Sequence, residues 1–193
     1  MAALGALLAA ALPDAAVLLR WQPELALRQP WRAISAAWVH LSPLHLMANL
    51  TGTAVVAALG TVAGCGPRAA LAWALAWPLT HAALALQPTL ASYGGLSGVL
   101  HAGVAVAGWQ LLRTERGPRQ AIGGALLVGL SVKVLSESPW AGPLRFAPGW
   151  DTAIAPAAHA SGSLAGLLCA WACGVGRSAV TRVSQQPQGS GLD

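Results

Sequence analysis

Two glycine-rich stretches decide the fold of this chain: GGLSGVLHAG at residues 94–103 and AHASGSLAG at residues 158–166. Each stands at or near the start of a long apolar segment. Glycines remove side-chain bulk, so two helices that carry them can bring their backbones close together within lipid. The pattern therefore predicts two helices in close contact. On its own it says nothing about chemistry.

The composition indicates a membrane protein. Of the 193 residues, 55% are hydrophobic and 9% are charged, whereas a soluble domain carries about 25% charged residues. The apolar residues form long blocks, which predicts membrane-spanning helices. We expect six spans, the first of them interrupted by Pro13 and Asp14 and retained in the mature protein. Their expected ranges are about 2–19, 44–63, 68–87, 95–112, 120–137 and 154–176.

These spans predict an all-α fold, a polytopic six-transmembrane-helix bundle that forms one domain over residues 1–176. The tail, 177–193, is rich in Ser, Gln and Gly, and we expect it to be disordered. Six spans place both termini on one side of the membrane. With the termini in the cytoplasm, six basic residues lie on the cytoplasmic side and five on the opposite side, which favours this orientation. Three of the six lie in the loop 113–119.

The net charge of +5 does not indicate a nucleic-acid partner. The 11 basic residues are scattered among the loops and form no basic stripe. The expected partner is the lipid bilayer. The cysteines, Cys65, Cys169 and Cys173, have no metal-ligand spacing and are expected to be packing residues.

Polar groups inside a membrane are costly, so each is a functional candidate. Ser97 begins one glycine-rich segment and His159 begins the other. A nucleophilic serine needs a base to accept its proton, and these two residues are expected at similar depth on touching helices. Two other interpretations remain open. Ser97 can bond its own helix backbone, and His159 can bond a loop carbonyl at the interface.

The motifs around these two residues resemble those of the rhomboid intramembrane proteases. Upstream, Trp31-Arg32 and His40 resemble the family's first loop, and the pair His45 and Asn49 resembles its second span. The resemblance implies a serine protease with the dyad Ser97 and His159, a membrane-anchored protein substrate, and no metal or cofactor. It also implies an oxyanion hole formed by His45, Asn49 and the Ser97 N–H. Residues four apart share a helix face, which agrees with the pairing of His45 and Asn49.

A narrower resemblance is to the rhombosortase branch of that family. The string from Gly95 to His101 is similar to its members, and so is Lys133-x-x-x-Glu137 ahead of a glycine-rich loop. This implies removal of C-terminal Gly-Gly sorting tails from exported proteins. The implied location is the bacterial inner membrane, with the active site opening to the periplasm.

One position departs from the rhomboid pattern. Many rhomboids have a tyrosine four residues after the serine, where this chain has His101. We expect His101 to pack against or hydrogen-bond His159 and so support the base. Because His101 shares a helix face with Ser97, it is also an alternative base.

No carboxylate is predicted to orient His159. Asp151 is eight residues earlier, about 12 Å along a helix axis. Lys133 and Glu137, four residues apart, are expected to neutralise one another. His40 is expected to hold the first loop or a water, and the sequence assigns no role to His81.

Three rival functions remain for this sequence. A catalytically inactive rhomboid-like protein would bind membrane clients without cleaving them. A haem-binding membrane protein would use histidines as axial ligands. A transporter would show inverted repeats, and none is visible.

Overall fold

The structure is a computed structural model, and it describes residues 15–176. Within this range the regular elements are helices, and no strand occurs. The expected all-α class is confirmed for these residues. The expected disordered tail, 177–193, lies outside the described residues, and so does most of the first expected span.

Seven α-helices follow one another between residues 15 and 172. Their bounds are α1 Ala15–Leu19, α2 Arg32–Ser35, α3 Pro43–Val62, α4 Pro67–Ala82, α5 Ser97–Thr114, α6 Pro118–Ser136 and α7 Pro156–Ala172. Short 3-10 turns lie at Pro23–Leu25, Ala36–Trp38 and Ala83–Leu86. Proline is the first residue of four of the five long helices. The N–H of a first helical residue has no acceptor within the helix, so proline loses no hydrogen bond there, and its fixed φ suits the helix.

Two helical segments are long and apolar enough to cross a membrane. They are Pro43–Val62 and Pro67–Leu86, with mean hydropathies of 1.3 and 1.4. The other described helices do not pass that test of length and apolarity, so the expected six spans are not confirmed. Only 11% of the Pro43–Val62 window is buried inside the protein, as a lipid-facing helix requires.

Helix α5 is the centre of the bundle and contacts the four other long helices. Its contact with α7 depends on glycine. A Cβ added at Gly98 would lie 2.6 Å from the Ala158 carbonyl oxygen, and one added at Gly166 would lie 2.8 Å from the Cα of Ala102. Real Cβ atoms essentially never approach so closely. The predicted close contact of the two glycine-rich helices is therefore confirmed.

The segment between α1 and α3 supports the loop that leads into α5. Trp21 and Tyr93 exchange backbone hydrogen bonds of 2.8 and 2.9 Å, and the Gly95 N–H donates to the Ala36 carbonyl at 2.9 Å. The Arg32 side chain, 5% exposed, donates to the carbonyl of Arg20 at 2.8 Å. These bonds fix the backbone immediately before Ser97.

The long helices run alternately up and down. Helices α3, α5 and α7 begin at the end of the bundle where α4 and α6 finish, so this end collects residues from several elements. Ser97 is the first residue of α5, His159 lies in the first turn of α7, and Glu137 directly follows α6.

Candidate active site

Ser97 and His159 meet at this end of the bundle. The Ser97 Oγ lies 2.9 Å from the His159 Nε2, within hydrogen-bonding distance. His159 is 5% exposed, so its ring is held by protein on nearly all sides. Glycines at 98 and 162 let the two helices approach closely enough for this bond. The serine side chain therefore bonds the histidine across the helix contact.

The second ring nitrogen of His159 faces a carboxylate. Its Nδ1 lies 2.6 Å from the Oε2 of Glu137. The expectation that no carboxylate orients His159 is wrong. Spacing along one helix puts Asp151 too far from His159, whereas Glu137 comes from the end of the preceding helix. The alternating direction of the helices, which brings the end of α6 beside the start of α7, was the signal that could have pointed to Glu137.

Lys133 lies among these groups. Its Nζ is 3.0 Å from the Oε1 of Glu137, so the expected pairing of the two residues is present. The same Nζ lies 2.5 Å from the Nε2 of His101 and 3.1 Å from the Nδ1 of His159. The ion pair therefore belongs to the site, and its two charges also neutralise one another at the end of α6.

His101 stacks on His159, with ring centroids 4.2 Å apart and planes inclined by 9°. Its Nδ1 lies 2.7 Å from the Ser97 carbonyl oxygen, and its Nε2 faces Lys133. An ammonium donates and a carbonyl accepts, so His101 carries its proton on Nδ1. Both nitrogens are then engaged away from the Ser97 Oγ, which disfavours His101 as the base.

His45 and Asn49 line the same cavity as Ser97. The Leu41 N–H approaches the His45 Nδ1 at 3.4 Å, a long hydrogen bond in which Nδ1 accepts. The proton of His45 then lies on Nε2, the nitrogen that faces Gly95. The Asn49 amide donates one N–H to the His45 carbonyl at 3.1 Å, which leaves its second N–H for another partner.

Tyr93 supports the backbone beside the serine. Its hydroxyl donates to the Gly95 carbonyl at 3.0 Å. Burial raises the pKa of Tyr93 to about 12, although hydrogen bonds with Ser97 and Gly98 oppose the rise. The hydroxyl therefore stays protonated. Gly95 has a φ of +147°, a conformation that side-chain-bearing residues rarely adopt, so glycine suits this position.

A cavity of about 560 Å³ joins these groups. Its polar end holds Ser97 and His159, and its walls continue along α3, α5 and α6. The apolar residues of these helix walls include Gly52, Val55, Val56, Leu100, Val104 and Leu130. From His45 to Val56 the wall extends about 16 Å along α3. The polar groups thus stand at one end of a long apolar groove.

A loop, residues 137–155, covers the polar end of this cavity. The Ser42 hydroxyl donates to the Asp151 Oδ1 at 2.7 Å, and the Ser42 Oγ in turn accepts from the His45 N–H at 3.0 Å. Ser42 is the N-cap of α3. It therefore links the loop to the helix that carries His45.

The remaining histidines hold the framework. His40 lies 3.2 Å from the Trp38 carbonyl through Nδ1, and its ring meets that of His45 edge to face at 4.9 Å. His81, fully buried, lies 2.7 Å from the Ala33 carbonyl through Nδ1 and so ties α4 to α2. Within residues 15–176, no cluster of three or more His, Cys, Asp or Glu side chains is arranged to hold a metal ion.

The helical bundle, its apolar surface and the bonded serine and histidine define a membrane protein with a buried polar site. The family model of the rhomboid domain matches residues 27–175, which are most of the chain and include the whole site. The chain therefore belongs to the rhomboid family. That family consists of integral membrane proteins, generally serine proteases acting on membrane-protein substrates within the bilayer, and includes inactive members. Comparison with curated proteins found no match.

Proposed function

We propose that this rhomboid is an active serine endopeptidase that cleaves a peptide bond in or near a transmembrane segment of a membrane-anchored protein. Ser97 is the nucleophile and His159 is the general base. The observation that carries the proposal is the 2.9 Å hydrogen bond between the Ser97 Oγ and the His159 Nε2, at the polar end of the groove. An inactive relative needs neither this bond nor its access to a cavity.

The reaction follows from these positions. The Ser97 Oγ attacks the scissile carbonyl carbon while the His159 Nε2 accepts the hydroxyl proton. The C–N bond then breaks, and His159 gives that proton to the departing amine. A water attacks the resulting ester and passes a proton to His159, which returns it to Ser97 as the carboxylic acid leaves.

Donors for the oxyanion lie beside the nucleophile. The Ser97 N–H belongs to the first turn of α5, where backbone N–H groups have no helical partner. The His45 Nε2–H and the free N–H of Asn49 complete the proposed oxyanion hole. Such donors act on the charge that develops in the transition state.

The groove suggests how substrate binds. Its apolar walls suit a transmembrane segment that enters between α3 and α6, with an unwound end that reaches Ser97. Within the family we propose the rhombosortase branch, because of the string from Gly95 to His101 and the pair Lys133 and Glu137. The substrate is then an exported protein with a Gly-Gly sorting tail. A six-span chain in the bacterial inner membrane, with cytoplasmic termini, would present the site to the periplasm.

Labelling by a fluorophosphonate tests the catalytic pair. The serine oxygen displaces fluoride from phosphorus, so labelling needs an activated serine but no peptide substrate. We expect the wild type to be labelled and both Ser97→Ala and His159→Ala to be unlabelled with the fold kept. Ser131→Ala is the matched control, because Ser131 bonds the Leu127 carbonyl on the exposed face of α6. Loss of labelling in His101→Ala but not in His159→Ala would overturn the base assignment.

A reporter substrate tests the branch. It carries Gly-Gly, an apolar segment and basic residues at its C-terminus, and it is co-reconstituted with the protein in lipid vesicles. We expect Ser97-dependent cleavage that is lost when both glycines become valine. Equal cleavage of both reporters would support a rhomboid protease and reject the sorting-tail substrate. An unlabelled wild type that binds the reporter intact would show an inactive family member.

A further inference from the structure

We propose that Glu137 is a positioning residue for the reaction, forming a Ser97–His159–Glu137 triad in which Lys133 holds the glutamate in place. This inference rests on the protease function proposed above and adds a carboxylate to the dyad. Each member lies on or directly beside a different helix: Ser97 on α5, His159 on α7 and Glu137 after α6.

The hydrogen bond to Glu137 determines which nitrogen of His159 is protonated. An ionised carboxylate only accepts hydrogen bonds, so the 2.6 Å contact places the imidazole proton on Nδ1. The Lys133 Nζ, 3.1 Å from the same nitrogen, donates instead to its closer acceptors, Glu137 and His101. The lone pair of Nε2 then faces the Ser97 Oγ at 2.9 Å, as a general base requires. The opposite tautomer would present an N–H to the serine and could not accept its proton.

Lys133 engages the other carboxylate oxygen. Its Nζ lies 3.0 Å from Oε1, while Oε2 bonds His159, so the carboxylate is fixed at both oxygens. Residues four apart lie on one helix face, which puts the ammonium beside the carboxylate without distortion of α6. The Lys133 Nζ also approaches the His101 Nε2, and His101 stacks on His159. The imidazole of His159 is thereby held from its edge and from its face.

The charges around His159 allow the proposal to be tested through the pH dependence of the reaction. The titratable groups that face His159 are His101, Lys133 and Glu137, with His45 beyond them on α3. When His159 takes the serine proton, Glu137 attracts the new charge and Lys133 repels it. Removal of Glu137 should make protonation of His159 harder, and removal of Lys133 should make it easier. An ion pair that does not contact His159 predicts neither change.

The experiment measures the rate constant of fluorophosphonate labelling from pH 4.5 to 9 on the full chain in detergent. We expect Glu137→Gln to lower the maximal rate by about 10- to 100-fold, the worth of one charged hydrogen bond. Its acidic limb should move to lower pH, and that of Lys133→Met to higher pH. Glu137→Asp, which keeps the charge, should restore part of the rate.

Glu115→Gln is the matched control. Glu115 forms the same kind of i,i+4 ion pair, 3.1 Å to Arg119, at the opposite end of the bundle, so its pH profile should equal that of the wild type. The double variant Glu137→Gln/Lys133→Met leaves no unpaired charge and gives the result even where Glu137→Gln misfolds.

A wild-type rate and pH profile in folded Glu137→Gln, or a wild-type maximal rate in the folded double variant, would overturn the positioning role, while Ser97-dependent labelling would still support the protease. Absence of labelling at Ser97 in the wild type would instead overturn the protease function and the triad with it.

Discussion

Gly162 offers the most direct test of how the helix contact creates the site. A Cβ added there would overlap the Gly98 carbonyl, lying 2.7 Å from its carbon and closer still to its oxygen. Ordinary contact begins at 3.4 Å, so Gly162→Ala has to move α7 from α5 by at least about 0.7 Å. The atoms that resist are backbone atoms of α5, which cannot turn aside as a flexible side chain would.

The displacement falls on the Ser97–His159 hydrogen bond, because Gly162 lies one turn beyond His159 and Gly98 directly follows Ser97. A bond of 2.9 Å lengthened by that amount exceeds the usual N···O range. Misplacement of catalytic groups by about 1 Å can cost about 100-fold in rate. Overpacking should also destabilise the fold by about 1–3 kcal/mol.

The assay compares fluorophosphonate labelling of Gly162→Ala with that of Gly129→Ala. A Cβ at Gly129 meets no atom within 4 Å, so the control adds the same methyl group to a helix without a clash. Thermal unfolding, followed through the nine tryptophans, reports the fraction folded. Labelling of folded Gly162→Ala at the wild-type rate would refute the claim that this glycine contact sets the distance between the serine and histidine.

Three further predictions concern the surroundings of the site. His45→Ala should lower kcat for reporter cleavage by about 100- to 1,000-fold through loss of one oxyanion donor, and an unchanged kcat would remove His45 from the hole. Burial lowers the pKa of His40 from its ordinary value of 6.5, so the unfolded chain takes up the proton first as pH falls. The stability of the fold should therefore decrease as the pH falls below about 6.5. Between about pH 7 and 5, thermal unfolding should show a smaller loss of stability for His40→Gln than for the wild type. Asp151→Ala releases the loop from Ser42 and should speed labelling by a bulky fluorophosphonate more than by a small one; equal acceleration of both would argue against a covering loop.

Much of the fold could be predicted from patterns of neighbouring residues in the sequence. The glycines at 98, 162 and 166 were readable from sequence because close backbone contact allows no side chain there. The break between α3 and α4 lies where the expected spans 44–63 and 68–87 meet, at the Gly-Cys-Gly-Pro stretch at 64–67, because glycine and proline favour a turn there. These inferences need only neighbouring residues.

The role of Glu137 as a neighbour of His159 was not found this way. The two residues are 22 apart in sequence, and the 137–155 loop that separates them has no repeating pattern. Spacing along one helix favoured the pairing with Lys133, which is also present, and gave no reason to look further. Only the return of the chain at the end of α6 places this carboxylate against a ring on another helix.

The pairing of Lys133 with Glu137 has a consequence for how the protein is made. The two charges lie one turn apart on a single helix, so they can cancel before any neighbouring helix has packed. The lysine and glutamate charges can therefore offset each other while the chain inserts, before the site has formed. Substitution of only one partner leaves an uncompensated charge at the insertion step, and the amount of protein recovered from the membrane should fall for that reason alone.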